Sequence, residues 1–189
     1  MSNILQFKIT LKDSKPKIWR RFQIESTLMF YDLHLIIQTV MGWSNTHLYQ
    51  FIYDGDNFIG NPELLERDGI ADDKEVAISI VFDKPKIKME YEYDFGDGWQ
   101  HELILEKIEK KNTTQHYPTC LEGEMNCPPE DCGGIHGFYD RLKAFKNKRH
   151  PEHEDVVEWM RENYNPEFFD LQSVNKNLQD YKDMDMGFN

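Results

Sequence analysis

Hydrophobic and polar residues alternate over the first 25 positions of the chain. This two-residue period is typical of a β-strand that buries one face, because successive side chains point to opposite sides. A turn around Pro16 divides the pattern into two runs, which we interpret as a β-hairpin. The positions that share its buried face are Leu5, Phe7, Ile9 and Leu11 in the first strand and Ile18, Arg20, Phe22 and Ile24 in the second.

After the hairpin the period changes from two residues to between three and four. Apolar side chains stand at spacings of three, four, seven and eight residues, and Gly42 follows the last of them. Such spacing aligns the apolar side chains along one stripe of an α-helix, and a glycine commonly ends a helix. The sequence therefore predicts one central amphipathic helix, whose buried stripe contains Leu33, Ile36, Ile37, Val40 and Met41.

Strand-like alternation returns in the middle of the chain. Residues 47–53 form one such run. Residues 87–93 and 99–105 flank a turn-forming segment, Asp94–Gly98, and we interpret them as the arms of a second hairpin. Residues 77–82 are apolar and partly β-branched, and so short a run fits either a strand or a buried helix.

The last part of the chain has a different character. Residues 110–137 are rich in proline, glycine and cysteine, which predicts a long loop. Three short segments beyond it predict helices. Strands followed by helices indicate an α+β fold, with a mostly antiparallel sheet, one central amphipathic helix and a helical C-terminal region. We expect a single domain over residues 1–180 and a flexible tail over residues 181–189.

Composition and charge narrow the classes of function. Hydrophobic residues make up 39% of the chain and aromatic residues 13%, which is enough to build a core. The net charge of -12 opposes attraction of the whole surface to nucleic acid or to an anionic membrane. The chain has no signal-peptide pattern and no apolar run near the ~18 residues of a membrane span. We therefore expect a cytoplasmic protein with no membrane partner, whose three cysteines stay reduced.

Four segments, in this order along the chain, carry a family resemblance. They are Pro16–Arg21, Leu33–Trp43 with His47 and Leu48 after it, Tyr91–His101, and Pro118–Gly134. Together they resemble the plasmid pRiA4b ORF-3-like family, over about residues 4–180. The resemblance implies a compact α+β domain of a kind associated with plasmids and transposable elements as a passenger protein. It implies no particular reaction.

A zinc site is one interpretation of the long loop. Cys120, Cys127, Cys132 and His136 offer three thiolates and an imidazole, which are ligands that Zn²⁺ prefers. A metal would also stabilise a loop that has little core of its own. The first spacing, however, is longer than the usual spacing within a zinc knuckle. The alternative is a metal-free loop in which buried thiols act as small apolar side chains.

His47 and His101 are the candidates for acid–base or metal chemistry. Each lies on the aromatic face of a predicted strand. If those two strands are neighbours, the imidazoles approach each other, and Asp94 or Asp97 at the hairpin turn would orient one of them. The alternative is that both histidines belong to an aromatic core and bond to the backbone.

A basic and aromatic cluster lies at the first turn and the second strand. Lys17, Trp19, Arg20 and Arg21 combine cations with an indole, a combination that suits phosphate contact and base stacking by a binding partner. In the alternative interpretation Trp19 is part of the core and an arginine pairs with the surplus carboxylates.

Two hypotheses for the function follow from these candidates. The leading one is a binding or adaptor domain that recognises a protein or nucleic-acid partner through its sheet and the cysteine loop. The alternative is a metal-dependent enzyme of the hydrolase type, which would use His47, His101 and the Asp94/Asp97 turn. Zinc is the cofactor that the cysteine loop would suit.

Overall fold

The structure of the protein is a computed structural model that describes residues 2–66, 68–161 and 163–184. Its strands are β1 (Asn3–Leu11), β2 (Trp19–Glu25), β3 (Tyr49–Tyr53), β4 (Asn57–Gly60), β5 (Ile70–Asp72), β6 (Lys88–Tyr93), β7 (Trp99–Lys110) and β8 (Thr119–Glu124). Its helices are α1 (Phe30–Met41), α2 (Pro62–Leu65), α3 (Ile78–Val81), α4 (Gly134–Lys146), α5 (His153–Met160) and α6 (Leu171–Asn177), followed by a 3-10 helix (Leu178–Met184).

The strands form one sheet, which over the described residues has the order β5-β4-β3-β6-β7-β1-β2-β8. The β4/β5 pair is parallel and the other pairs are antiparallel. Both predicted hairpins are present as β1/β2 and β6/β7, and β1 pairs with β7 to join them. The predicted α+β class and the mostly antiparallel sheet are therefore confirmed.

One face of the sheet carries the core and the other faces water. The β1 residues predicted to be buried are at most 1% exposed. Helix α1 packs against the same face, where the ring of Phe30 contacts that of Phe51. On the opposite face, Gln50 donates a hydrogen bond to Glu92 and Lys88 pairs with Glu102. In β6 and β7, buried side chains thus alternate with more exposed ones, as the alternating sequence predicts.

Helix α1 ends where the glycine signal predicts. Gly42 has a φ of 96°, a left-handed conformation that favours glycine, and its N–H donates to the carbonyl of Gln38 at 2.8 Å. The chain then leads directly to Trp43, whose indole N–H donates to the carbonyl of Pro128 at 3.0 Å. The end of α1 is therefore attached to the cysteine-containing loop.

In two segments the structure adds to what the sequence predicts: one predicted loop contains a strand, and one segment that could be a strand or a helix is a helix. Strand β8 lies inside the predicted loop and pairs with β2 at the edge of the sheet. Its exposed glutamates and its glycine weaken the apolar alternation by which a strand is recognised. Residues 78–81 form the short helix α3, so this segment is a helix and not a strand, although Ile78 is the one residue of α3 that is buried.

The C-terminal segment packs against α1. The Tyr181 side chain is buried, and its hydroxyl donates to Asp32 at 3.0 Å. Residues 181–184 of the predicted tail therefore belong to the packed body, and residues 185–189 lie outside the described residues. Among the helices that the structure describes, none is long and apolar enough to cross a lipid bilayer.

Candidate functional site

Several predicted residues meet at one end of the β3/β6 pair. These strands are antiparallel with Tyr49 opposite Tyr93, so the residues before β3 lie beside those after β6. The pairing continues past the strands, because the N–H of Asp94 donates to the carbonyl of Leu48 at 2.8 Å. This register brings His47 next to Asp94.

His47 faces two carboxylates. Its Nε2 atom lies 3.8 Å from Oδ2 of Asp94 and 3.3 Å from Oδ1 of Asp131. The three ligand atoms all lie within 4.8 Å of one another. Within residues 2–66, 68–161 and 163–184 this is the one group of three or more His, Cys, Asp or Glu side chains that converges in this way. We name His47, Asp94 and Asp131 the His–Asp site.

Asp94 is held in place by its own turn. Its backbone has a φ of 55°, a left-handed conformation that aspartate tolerates. Oδ1 accepts hydrogen bonds from the N–H groups of Gly96 at 3.0 Å and Asp97 at 3.3 Å. Because the turn engages Oδ1, the other oxygen is the one that faces His47. The residue is only 8% exposed, so packing adds to the constraint.

Neighbouring residues attach the loop that carries Asp131. Glu130 accepts a hydrogen bond from the Tyr93 hydroxyl at 2.5 Å. Burial, together with the Glu130 carboxylate, raises the pKa of Tyr93, so its phenol remains a donor. The carboxylate of Asp97 accepts the Gly133 N–H with both oxygens, at 3.2 and 3.1 Å. These contacts hold the loop against the β6–β7 turn and place Asp131 beside His47.

In the described chain the His47 imidazole has a buried nitrogen without a hydrogen-bond partner, as His101 does, but of these two histidines His47 is the one that lies beside carboxylates. Its Nε2 atom is sheltered from solvent and has no hydrogen-bond partner among the described residues. Asp131 lies within ion-pair distance but without the alignment that a hydrogen bond requires. The Asp131 side chain is 74% exposed, so the site opens to water on that side. One imidazole nitrogen and two carboxylate oxygens form a ligand set that can hold a divalent cation.

The other two residues of the predicted histidine and aspartate cluster have different positions. Strand β6 lies between β3 and β7, so the strands of His47 and His101 are not neighbours. His101 is completely buried on the core face of β7, and its Nδ1 lies 3.2 Å from the carbonyl oxygen of Tyr91. The aromatic-core alternative describes His101. Asp97 shapes the loop through its bonds to Gly133, and in the described chain the carboxylates within ion-pair distance of His47 are those of Asp94 and Asp131.

The burial of His101 predicts a pH dependence of stability. Burial lowers its pKa from 6.5 to about 4, so the unfolded chain binds a proton at a higher pH than the folded protein does. The stability that the neutral imidazole provides is therefore complete above pH 6.5 and is lost as the pH falls towards 4. At pH 5 the loss from one such residue is about 2 kcal/mol.

We predict that His101→Asn, which retains a donor for the Tyr91 carbonyl, reduces the fall in unfolding free energy between pH 7 and pH 5 by about 2 kcal/mol. Urea denaturation at the two pH values measures this difference. The matched control is His116→Asn, because His116 is exposed and should leave the fall unchanged. An equal pH dependence in both variants would contradict the assignment.

The four residues of the predicted zinc site are not brought together. Cys120 lies in β8 with its Sγ atom 3.5 Å from the carbonyl oxygen of Arg21, whereas His136 is exposed on α4. No three of Cys120, Cys127, Cys132 and His136 place ligand atoms within 4.8 Å of one another in the described chain. Burial raises the pKa of Cys120 to about 11 and that of Cys132 to about 12, so both thiols are protonated at neutral pH in the metal-free protein. The structure fits the metal-free alternative better.

The predicted basic cluster is divided between the core and the polar face of the sheet. Arg20 is 1% exposed, and its guanidinium donates to three backbone carbonyls. The indole N–H of Trp19 donates to Glu124 at 2.9 Å, and Arg21 forms ion pairs with two carboxylates. Lys17 remains an exposed cation. The guanidinium of Arg20 is therefore enclosed, which counts against a contact between Arg20 and a partner.

Asp131 is the member of the site that the sequence pattern does not reveal. It lies between two cysteines, and thiols beside prolines indicate a zinc loop or a packed loop, not a carboxylate ligand. A signal exists in the family resemblance, because His47, Asp94 and Asp131 come from three different segments that carry it. Only the tertiary structure shows that these segments meet.

Comparisons with known proteins agree with this fold. The family model described as Plasmid pRiA4b ORF-3-like protein matches residues 3–173. The uncharacterized protein y4hQ of Sinorhizobium fredii is 32% identical over 182 residues, which cover 95% of this chain and 93% of that protein. The crystal structure of a protein of unknown function, MM3350 from Methanosarcina mazei Go1, gives a TM-score of 0.84 at 35% identity, over 92% of this chain and 98% of that chain. The chain therefore belongs to the plasmid pRiA4b ORF-3-like family.

Proposed function

We propose that the protein binds a divalent cation at the His–Asp site. The observation that carries this proposal is the environment of the His47 Nε2 atom, which is sheltered, lacks a hydrogen-bond partner among the described residues and faces two carboxylate oxygens. A buried polar atom without a partner calls for an explanation, and a bound ion is one that also accounts for the two acids. The cation would neutralise both carboxylates and accept the nitrogen lone pair.

The ligand types favour a transition metal. Zn²⁺ and Mn²⁺ accept imidazole nitrogen together with carboxylate oxygen, whereas Mg²⁺ and Ca²⁺ prefer oxygen ligands throughout. Three protein ligands also leave coordination positions for water, as in catalytic zinc sites. The exposed side of Asp131 is where such a position would face solvent.

The chemistry that this arrangement supports is metal-assisted hydrolysis. A cation with an open position lowers the pKa of bound water to near 7 and polarises a carbonyl or phosphoryl oxygen. Phe95 follows Asp94 in the chain and is 44% exposed, so an apolar group of a substrate has a contact surface next to the site. We propose this reaction class for the same three residues.

Metal binding is tested by titrating Zn²⁺, and separately Mn²⁺, into metal-free protein in a calorimeter. We predict one binding site per chain and an affinity that Asp131→Asn weakens about tenfold or more, because one charged ligand is lost. Asp140→Asn is the matched control, since Asp140 is an exposed acid on α4 and the charge change is identical. The absence of binding, or equal weakening in both variants, would contradict the proposal.

Hydrolysis is a separate step with its own test. With the bound metal present, p-nitrophenyl acetate and bis(p-nitrophenyl) phosphate are the probes, and turnover should disappear in Asp131→Asn but persist in Asp140→Asn. Binding without turnover of either probe would support the cation site and count against the hydrolytic role.

A binding or adaptor role for a protein partner is the second candidate function that we propose. Its nucleic-acid form loses support, because Arg20 is buried and Arg21 is paired with carboxylates. The observation that favours a protein partner is an apolar groove bordered by lysines, formed by the β1–β2 turn, α4 and residues 166–167.

A further inference from the structure

A groove of about 280 Å³ lies between the β1–β2 turn, the helix α4 and the chain around residues 166–167. Its floor is apolar, and most of the surface that it exposes belongs to carbon-rich side chains. The floor residues are Pro16, Ile18, Met125, Phe138, Leu142 and Pro166. Lysines border the opening, namely Lys15, Lys143 and Lys146.

Hydrogen bonds connect the walls of the groove. The N–H of Lys15 donates to the Tyr139 hydroxyl at 2.5 Å, and that hydroxyl lies 3.2 Å from the Lys15 carbonyl oxygen, which attaches the β1–β2 turn to α4. The N–H of Asn126 donates to the Pro166 carbonyl at 2.8 Å, which attaches the chain around residues 166–167 to the segment that carries Met125. A groove whose walls are already connected loses little conformational freedom when a ligand binds.

The charge around the groove is opposite to that of the protein as a whole. Three lysines and one glutamate line the groove, so its charged residues sum to +2 in a chain with a net charge of -12. Lys15 and Lys146 form no ion pair with the described residues, whereas Lys143 pairs with Asp140 at 2.8 Å. Glu167 is the acidic residue that lines the opening. The local field therefore attracts anionic groups to an apolar surface.

We propose that this groove binds an acidic segment of a partner protein, with one large apolar side chain in the groove and flanking carboxylates on the lysines. The partner's apolar side chain would contact the floor, and its carboxylates would pair with Lys15 and Lys146. A nucleic acid fits less well, because bases stack on exposed aromatic rings, whereas the Phe138 ring is buried and the Tyr139 ring is partly buried against the core with its hydroxyl bonded to Lys15. This inference gives a location to the proposed binding role and is independent of the His–Asp site.

The test uses fluorescein-labelled peptides and the full chain in buffer with EDTA, so that cation binding plays no part. Fluorescence anisotropy should show binding of a peptide with the sequence Asp-Asp-Trp-Leu-Asp-Asp. The control peptides Lys-Lys-Trp-Leu-Lys-Lys, which reverses the charge, and Asp-Asp-Gly-Ser-Asp-Asp, which lacks the apolar pair, should bind at least about tenfold more weakly.

Two lysines on the same turn provide matched variants. Lys15→Glu, which changes a groove residue, should weaken binding of the acidic peptide about tenfold, whereas Lys17→Glu, two residues away and outside the groove, should change it less than about twofold. Lys146→Glu, which changes a lysine of α4, should weaken binding of the acidic peptide to a similar extent. No binding of the acidic peptide, equal effects of Lys15→Glu and Lys17→Glu, or tighter binding of an oligothymidylate at the same lysines would overturn the proposal.

Discussion

Arg20→Ala is expected to lower the free energy of unfolding by about 3 kcal/mol. The Arg20 Nε donates to the Val40 carbonyl at 2.9 Å, and its Nη1 donates to the carbonyls of Trp19 and Glu124, both at 2.8 Å. Its guanidinium also lies 4.0 Å from the ring centre of Phe169. The side chain thus connects β2, the end of α1 and β8, and its removal leaves three carbonyls without this donor.

Arg21→Ala is the matched control for this prediction. Arg21 lies on the polar face of the sheet, where its ion pairs with Glu106 and Glu122 are partly exposed to solvent. Exposed pairs of this kind contribute about 1 kcal/mol or less. Chemical denaturation of both variants therefore separates the two neighbouring arginines, and equal losses of stability would show that Arg20 does not have the structural role assigned to it.

Gly134→Ala is expected to destabilise the protein by about 3 kcal/mol. Gly134 begins α4 with a φ of 68°, and a Cβ atom added there would overlap the carbonyl oxygen of Asp97. The loop would have to move away from the β6–β7 turn, which carries Asp94 and supports the position of Asp131. We therefore also predict weaker Zn²⁺ binding in this variant.

Gly133→Ala is the control for the close approach between Gly134 and the Asp97 carbonyl oxygen. Gly133 also has a left-handed backbone, with a φ of 83°, but an added Cβ there would meet only the Gly137 Cα at 3.7 Å. The conformational cost of about 1 kcal/mol is then common to both variants. Urea denaturation should show the larger loss for Gly134→Ala, and a similar loss in the two variants would contradict the importance of this contact.

The fold could be predicted from local patterns because the apolar residues of most elements repeat with the period of a strand or of a helix. The alternation in β1, the helical spacing in α1 and the turn-forming residues at 94–98 each indicate an element without reference to the rest of the chain. Strand β8 carries no such pattern, since it is short, polar and held by its pairing with β2. An element whose stability depends on pairing with a distant strand is not identified by local sequence patterns.

The His–Asp site could be predicted in part, because local patterns identify the strands next to two of its residues. His47 and Asp94 lie at the ends of recognisable strands, so both are identified as candidates, but the order of strands in the sheet is not a local property. The insertion of β6 between β3 and β7 separates His47 from His101. The alternation also places Arg20 correctly on the apolar face, although composition suggests a surface role for an arginine. The three backbone carbonyls that accept hydrogen bonds from the buried guanidinium are brought to it by the tertiary structure, and they offset the cost of burying the charge.

A divalent cation at the proposed His–Asp site would bind His47 through its Nε2 atom. Long-range ¹H–¹⁵N NMR spectra of the ¹⁵N-labelled protein resolve imidazole nitrogens, and one equivalent of Zn²⁺ provides the perturbation. Of the seven histidines, we predict that His47 alone shows a large shift of its Nε2 resonance. Unchanged imidazole resonances, or a shift at His136 in place of His47, would contradict the proposed cation site.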